Sequence, residues 1–262
     1  MLSWADALPL PTMTHDLFRA DSYLRECSAT VTALTPEGGV VLDRTVFYPL
    51  GGGQAGDAGV LLRPDGTALA IADTRKGKDA EGRPTADIVH VPAPGQALGL
   101  AVGDAVTARI DWERRHRLMR FHTTTHLLCH IVAQPVNGCS ITPDYARLDF
   151  HMDGALDKDA LTAAIARLVA QDHAVTIGAI SDAALDANPQ LVKSMSVQPP
   201  RGTGTVRTVR VGGAHDGDAA QIDLQPCGGT HVARTGEIGA VVVTKIEKKG
   251  AMSRRVVLGV GA

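Results

Sequence analysis

Two histidines four residues apart, His122 and His126, sit inside an unbroken stretch, Trp112 to Ala133, that opens behind Asp111 and stops before Pro135. Asp111 is a suitable N-cap and proline cannot continue a helix, so the stretch predicts one long helix. Side chains at i and i+4 share a helix face, with Cβ atoms about 5–6 Å apart, so both imidazoles can reach one ion. Much later comes Cys227-Gly228-Gly229-Thr230-His231. Its glycines let the backbone curl so that a thiolate and an imidazole face the same point. One cysteine and three histidines suit tetrahedral zinc in both donor type and number. A chain that gathers all four must bring this loop against the helix, which constrains the fold more than any other feature. On these residues alone a plainer reading stays open: two ordinary helical histidines, a buried cysteine and a loop histidine.

The surrounding residues narrow the chemistry. The zinc-protease pattern needs a glutamate directly after the first histidine as general base, and Thr123 stands there, which argues against peptide hydrolysis by that route. His130 continues the same row but lies about 6 Å further along the axis than His126, which predicts a core or supporting role rather than ligation. His116 and His215 read as surface histidines, and Cys129 and Cys139 as small apolar fillers.

Before the helix the chain reads as all-β. Ala29–Leu34, Val40–Asp43, Val60–Leu62, Ala68–Ala72 and Ile88–Val91 are short and divided by Gly, Pro and Asp, which suggests a small barrel or sandwich. Lys76 to Pro84 reads as an exposed loop, and Pro92 to Gly103 as a connection. After the first helix, Lys158 to Asp172 predicts a second, with Leu161, Ile165, Leu168 and Val169 at helical spacing. Strands are expected at Ala174–Ile180, Val206–Val211, Ala220–Leu224, Ala240–Ile246 and Arg255–Val260. The expected fold class is therefore α+β: a small β-barrel-like N-terminal domain, residues 1–103, and an α+β domain, residues 104–262. The first of these holds Thr45-Val46-Phe47-Tyr48-Pro49-Leu50-Gly51-Gly52-Gly53-Gln54. No Gly-Lys-Ser/Thr follows, so it is not a phosphate-binding Walker loop. Locally it reads as a turn between strands.

Charge matters here through its distribution. The 26 Lys+Arg nearly balance 28 Asp+Glu. Arg109 to Arg120 nevertheless holds five arginines against Asp111 and Glu113, and Lys245 to Arg255 holds five basic residues against Glu247. Lys193 to Arg210 holds four basic residues and no acid. Any one run can be a solvated face, but three of them flanking the metal motifs suggest a nucleic-acid surface. Four cysteines without a CxxC pair fit a reducing compartment. Met1 to Arg19 lacks the basic and apolar regions of a secretion signal, and nowhere do 18 apolar residues run together. A cytoplasmic protein that does not cross a membrane is expected.

Five segments occur in a telling order: Phe47-Tyr48-Pro49-Leu50-Gly51-Gly52-Gly53-Gln54; His122 to Leu128; Pro199-Pro200-Arg201-Gly202; Asp223-Leu224-Gln225-Pro226-Cys227-Gly228-Gly229-Thr230-His231-Val232; and Lys245-Ile246-Glu247-Lys248-Lys249-Gly250. Together they resemble the free-standing AlaX-type editing proteins, in their medium-length form, and the editing region of alanyl-tRNA synthetase. The resemblance runs from about Leu42 to the end. It implies zinc held by His122, His126, Cys227 and His231. It also implies trans-editing hydrolysis of seryl, and possibly glycyl, groups from mischarged alanine tRNA, with Gly51, Gly52, Gly53 and Gln54 engaged with substrate or tRNA. The stretch between Gln134 and Asp149 is short compared with the synthetase's, and no pocket residue aligns there.

The chemistry asked of such a site is attack of water on an aminoacyl ester. Zinc can activate the water, or it can order the pocket while hydroxyls and backbone amides hold the water. No carboxylate presents itself as a general base. Thr123, beside His122, is the candidate catalytic residue, a hydroxyl able to meet that of serine; alternatively it bonds back to a helix carbonyl. Arg114, Arg115, Lys248, Lys249, Arg254 and Arg255 are the candidate tRNA contacts. The rival reading is a zinc-stabilised RNA-binding module without catalysis.

Overall fold

The computed structural model describes residues 13–199, 202, 204–215 and 218–261. The first twelve residues, and Pro200 and Arg201 of the Pro-Pro-Arg-Gly segment, lie outside them. The fold is mixed α and β, with strands predominating and three α-helices among the described residues. None of these helices is long and apolar enough to cross a membrane. Two compact units form. One contains residues up to Pro49 together with Gly56–Asp111, the other Leu50–Ala55 together with Trp112 onward.

In the first unit the short strands β1 (His15–Asp16) and β4 (Arg44–Thr45) pair in parallel. Six longer strands, β2 (Glu26–Leu34), β3 (Val40–Leu42), β5 (Gly59–Leu62), β6 (Ala68–Lys78), β7 (Pro84–Pro92) and β8 (Ala105–Ile110), bond into a closed ring in the order β2-β3-β7-β6-β5-β8. The ring closes through β8, which lies beyond the expected division at residue 103 and had no counterpart among the expected strands. Val106, Ala108 and Ile110 of β8 alternate inward, as the period of two requires. Aromatic rings are few, so aliphatic residues such as Val31, Leu42, Leu61, Leu69 and Ile71 build the core. The expected loop at Lys76 to Pro84 is instead a tight hairpin: β6 and β7 remain paired to Lys78 and Pro84. Asp79 turns it, accepting from the backbone N–H of Glu81 at 3.1 Å and of Arg83 at 2.8 Å. Polar residues here reflect exposed strand positions, not an absence of strand.

The second unit is organised on α1 (Trp112–Val132), which ends where Ala133 takes φ +52°. Strands β9 (Val136–Ile141) and β10 (Ala146–Phe150) follow, and neither was expected from the sequence. They join β14 (Val241–Gly250) and β15 (Ser253–Val260) in an antiparallel sheet of order β14-β15-β10-β9. Helix α2 (Lys158–Ala170) starts at Asp157, whose side chain caps Ala160 N–H at 2.7 Å. It buries Leu161, Ile165 and Leu168. Strands β11 (Val175–Ser181), β12 (Thr205–Val211) and β13 (Asp223–Pro226), with the short helix α3 (Asp182–Ala187) between the first two, form a second antiparallel sheet of order β11-β12-β13. Helix α1 packs against β9, β10, β13, β14 and α2, so it is covered on most sides.

Candidate metal centre

That coverage explains an unusual helix. Residues Phe121 to Cys129 are all buried, the His122-Thr123-Thr124-Thr125-His126 run included. Three successive threonines are poor helix formers, so packing rather than propensity holds this segment helical. Their hydroxyls must be satisfied within the protein. Thr124 donates to the carbonyl of Arg120 at 2.8 Å and Thr125 to that of His122 at 2.7 Å. Thr123 does not bond back along the helix. Its oxygen accepts from Val232 N–H at 3.3 Å and lies 3.2 Å from Nδ1 of His231.

His122 and His126 from α1 meet Cys227 and His231 from the loop after β13. One donor atom of each lies within 4.8 Å of every other, and all four residues are buried or half-buried. Sγ of Cys227 stands 3.5 Å from Nε2 of His122 and 3.3 Å from Nε2 of His231. The outward nitrogens are each engaged. Nδ1 of His122 meets Oε1 of Gln54 at 2.7 Å, Nδ1 of His126 meets Oδ2 of Asp223 at 2.8 Å, and Nδ1 of His231 faces Thr123. Gln225 in turn donates to both oxygens of Asp223, at 3.0 and 2.9 Å. Outer partners of this kind fix ring orientation and tautomer in histidine metal sites. The donor set therefore fits zinc in composition, convergence and support.

Burial and close approach shift three of the four side chains. Burial opposes the Cys227 thiolate, but the imidazoles of His122 and His231 outweigh it and bring the thiol well below its usual range. Burial also opposes a charge on His126, yet Asp223 and the thiolate overcome it and push the imidazole up to about 10. Burial and the neighbouring His122 drive His231 well down. The lowered Cys227 and His231 offer lone pairs that could hold a cation, whereas His126 must give up its proton before it can ligate.

The glycine motif takes part through Gln54, which is fully buried. Gly51 and Gln54 exchange backbone hydrogen bonds at 3.1 and 3.0 Å, and the segment pairs with the end of β9 through Ile141 N–H to the Gly53 carbonyl at 2.7 Å. Gly53 has φ +85°, and a Cβ there would lie 3.0 Å from both the carbonyl and the Sγ of Cys139. Gly52 is exposed and Gly51 half-buried. Neither Gln54 nor Asp223 was assigned to the histidines from the sequence. Their partners lie 68 and 97 residues away, and no local pattern marks such a contact.

The remaining candidates divide. His130 is exposed, which corrects its expected core or supporting role: it has rotated past the buried face of α1. His116 is only partly exposed, stacked on Trp112 with ring centroids 5.4 Å apart. Arg115 is fully buried and presents no surface to a phosphate, while Arg114 is half-buried. Arg255 grips Asp149 through two bonds of 2.7 and 2.9 Å, and Arg254 donates to carbonyls of Gly154, Gly250, Ala251 and Ser253. Lys248 and Lys249 are exposed near the β14–β15 turn.

Residues 206–257 match the family model described as threonyl and alanyl tRNA synthetase second additional domain, and residues 20–114 match that of class II (A) tRNA synthetases. The chain is 34% identical to the alanyl-tRNA editing protein AlaX-M of Methanosarcina acetivorans, across 93% of this chain and 97% of that protein. It is 32% identical to AlaX-M of Saccharolobus solfataricus, across 93% of this chain and 98% of that one. Its similarity to the alanine–tRNA ligase of Pyrobaculum arsenaticum is 33% identity over 95% of this chain but 27% of the ligase.

Proposed function

The chain belongs to the AlaX-M family of alanyl-tRNA editing proteins, and on that footing we propose that it is an aminoacyl-tRNA deacylase acting in trans on alanine tRNA that carries serine, and more weakly glycine. The observation that carries the reading is the buried convergence of His122, His126, Cys227 and His231. A zinc ion bound there supplies a Lewis acid for ester hydrolysis. In this reading the unit of Leu50–Ala55 and Trp112 onward is the editing domain and the unit closed by β8 is the β-rich domain, because a division at residue 103 would cut β8 from its ring. Four free cysteines are compatible with a reducing cytoplasm.

The chain's own residues divide the work. Gln54, Asp223 and Thr123 hold the three imidazoles. When Nε2 of His231 is a ligand, its Nδ1 carries the proton and donates to Thr123, whose other lone pair takes Val232 N–H. The Thr123 O–H is then left to donate, which suits it to a serine hydroxyl and gives nothing to alanine. Discrimination by hydrogen bonding can reach about 10⁴–10⁵-fold, whereas an apolar pocket manages about 10²-fold for one added hydroxyl. Arg114, Lys248 and Lys249 are the candidates for phosphate contact. Arg115 is buried, Arg255 is bonded to Asp149 and Arg254 to nearby carbonyls, which makes them weaker candidates.

Incubation of the purified protein with seryl- and alanyl-charged alanine tRNA tests the reading. Release of serine with alanine spared is expected, together with one zinc per chain, lost in Cys227→Ala. Binding of tRNA without release of either amino acid would instead make the protein a metal-stapled RNA-binding module.

A further inference from the structure

We propose that Gln54 is a positioning residue of the metal centre, fixing His122 with Nε2 toward the other donors and locking the Cys227–His231 loop to α1. The glycine motif thereby acts through the metal ligands. This rests on the zinc-site reading above and goes beyond it in assigning the motif a role.

The orientation of the Gln54 amide follows from its partners. Oε1 lies 3.1 Å from the backbone nitrogen of Thr230, which can only donate, and 2.7 Å from Nδ1 of His122. Nε2 lies 2.9 Å from Oγ1 of Thr230. A flipped amide would set two donors against each other at Thr230, so the oxygen faces both contacts. Nδ1 of His122 must then carry the proton, which leaves the ring's lone pair on Nε2, the atom facing Cys227 Sγ. One side chain thus sets the tautomer of one ligand on the helix and pins the backbone of the loop that carries Cys227 and His231. The amide can do this because its own backbone is held on both sides. Gly51 and Gln54 close a turn, and Ala55 N–H donates to the Ile141 carbonyl at 2.9 Å. The partners of the three histidines differ in kind: an amide for His122, a carboxylate for His126, a hydroxyl for His231.

The test is zinc affinity of the full chain, measured by competition with a chromophoric chelator. Gln54→Leu removes the acceptor at similar size and should weaken zinc binding by about 10–100-fold. Gln54→Glu keeps an acceptor for both His122 and Thr230, and the Thr230 hydroxyl can rotate to donate. It should bind zinc at least as tightly as wild type, and its cobalt(II) absorption spectrum should match the wild type's while that of Gln54→Leu departs. If Gln54→Leu does not fold, Gln54→Asn, one methylene short of His122, should show the same loss. Wild-type affinity in Gln54→Leu or Gln54→Asn, or equal weakening in Gln54→Leu and Gln54→Glu, would overturn the proposal while leaving the zinc site intact. A wild type that binds no zinc would overturn the zinc-site reading itself.

Discussion

Gly229 lies directly against the imidazole of His122: a Cβ built on it would stand 2.1 Å from Cε1, 2.5 Å from Nδ1 and 2.9 Å from Oε1 of Gln54. The loop between Cys227 and His231 can approach the helix only because this position has no side chain. Gly229→Ala should push the His122 ring off Gln54, at a cost of about 1–3 kcal/mol in stability as for other overpacked sites. Lower zinc content and a lower melting temperature are expected. An alanine variant with wild-type zinc content would mean that the ring has room to move.

Thr123→Val deletes the hydroxyl and keeps the shape. It should lose most of the preference for serine over alanine, read as the ratio of deacylation rates on the two charged tRNAs. The structure adds a second consequence, since His231 Nδ1 and Val232 N–H lose their partner: zinc affinity should fall as well. Thr123→Ser restores the hydroxyl and should recover both. An unchanged serine-to-alanine ratio in Thr123→Val would place the discriminating group elsewhere.

His90 makes the first unit acid-sensitive. It is fully buried, with Nδ1 against the carbonyl of Val40 at 3.0 Å and Nε2 2.8 Å from Oγ1 of Thr45. The carbonyl takes the Nδ1 proton, so Nε2 accepts from the threonine. Burial lowers its pKa from 6.5 to about 4. The unfolded chain therefore takes up this proton first as pH falls. Stability from a neutral His90 is complete above about pH 6.5 and is lost progressively toward pH 4, by about 3 kcal/mol in all. Urea midpoints between pH 7 and pH 4 should drop in the wild type and drop less in His90→Leu. Parallel slopes would remove His90 as the cause.

Lys248 and Lys249 are exposed, whereas Arg255 is committed to Asp149. Burial opposes the Asp149 charge, but Arg255 outweighs it and holds the carboxyl below its usual range. Reversing Lys248 and Lys249 to glutamate should weaken tRNA binding and flatten its salt dependence, because fewer counterions are released. Arg255→Ala should lower thermal stability with little change in the salt slope. Equal binding by the lysine variant across a salt series would take that patch out of the tRNA surface.

Removing the metal should separate catalysis from folding. The centre joins α1 to the loop after β13, while α1 also packs directly on strands of two sheets. Dialysis against a strong chelator should abolish deacylation, lower the melting temperature and leave the helical circular dichroism in place. Zinc added back should restore activity. Full activity after verified metal loss would rule out a role for the ion in the reaction.

Some of this molecule was legible in the sequence because the relevant signals are local. Asp111 and Pro135 bracket α1, the spacing of Leu161, Ile165 and Leu168 marks α2, and short segments divided by Gly, Pro and Asp mark strands such as β3. The same spacing singled out His122 and His126 as side chains on one face, and the donor types of Cys227 and His231 completed the set. What tertiary structure alone decided is which distant groups satisfy one another. A buried imidazole needs a partner for its second nitrogen, but many polar residues could supply it, and only the packed chain brings Gln54 to His122 and Asp223 to His126. The threonines make the same point. A local rule offers each hydroxyl a helix carbonyl, and Thr124 and Thr125 take one. Thr123 turns instead to His231 and Val232, because the loop that packs on its face of α1 presents groups that no helical neighbour could satisfy.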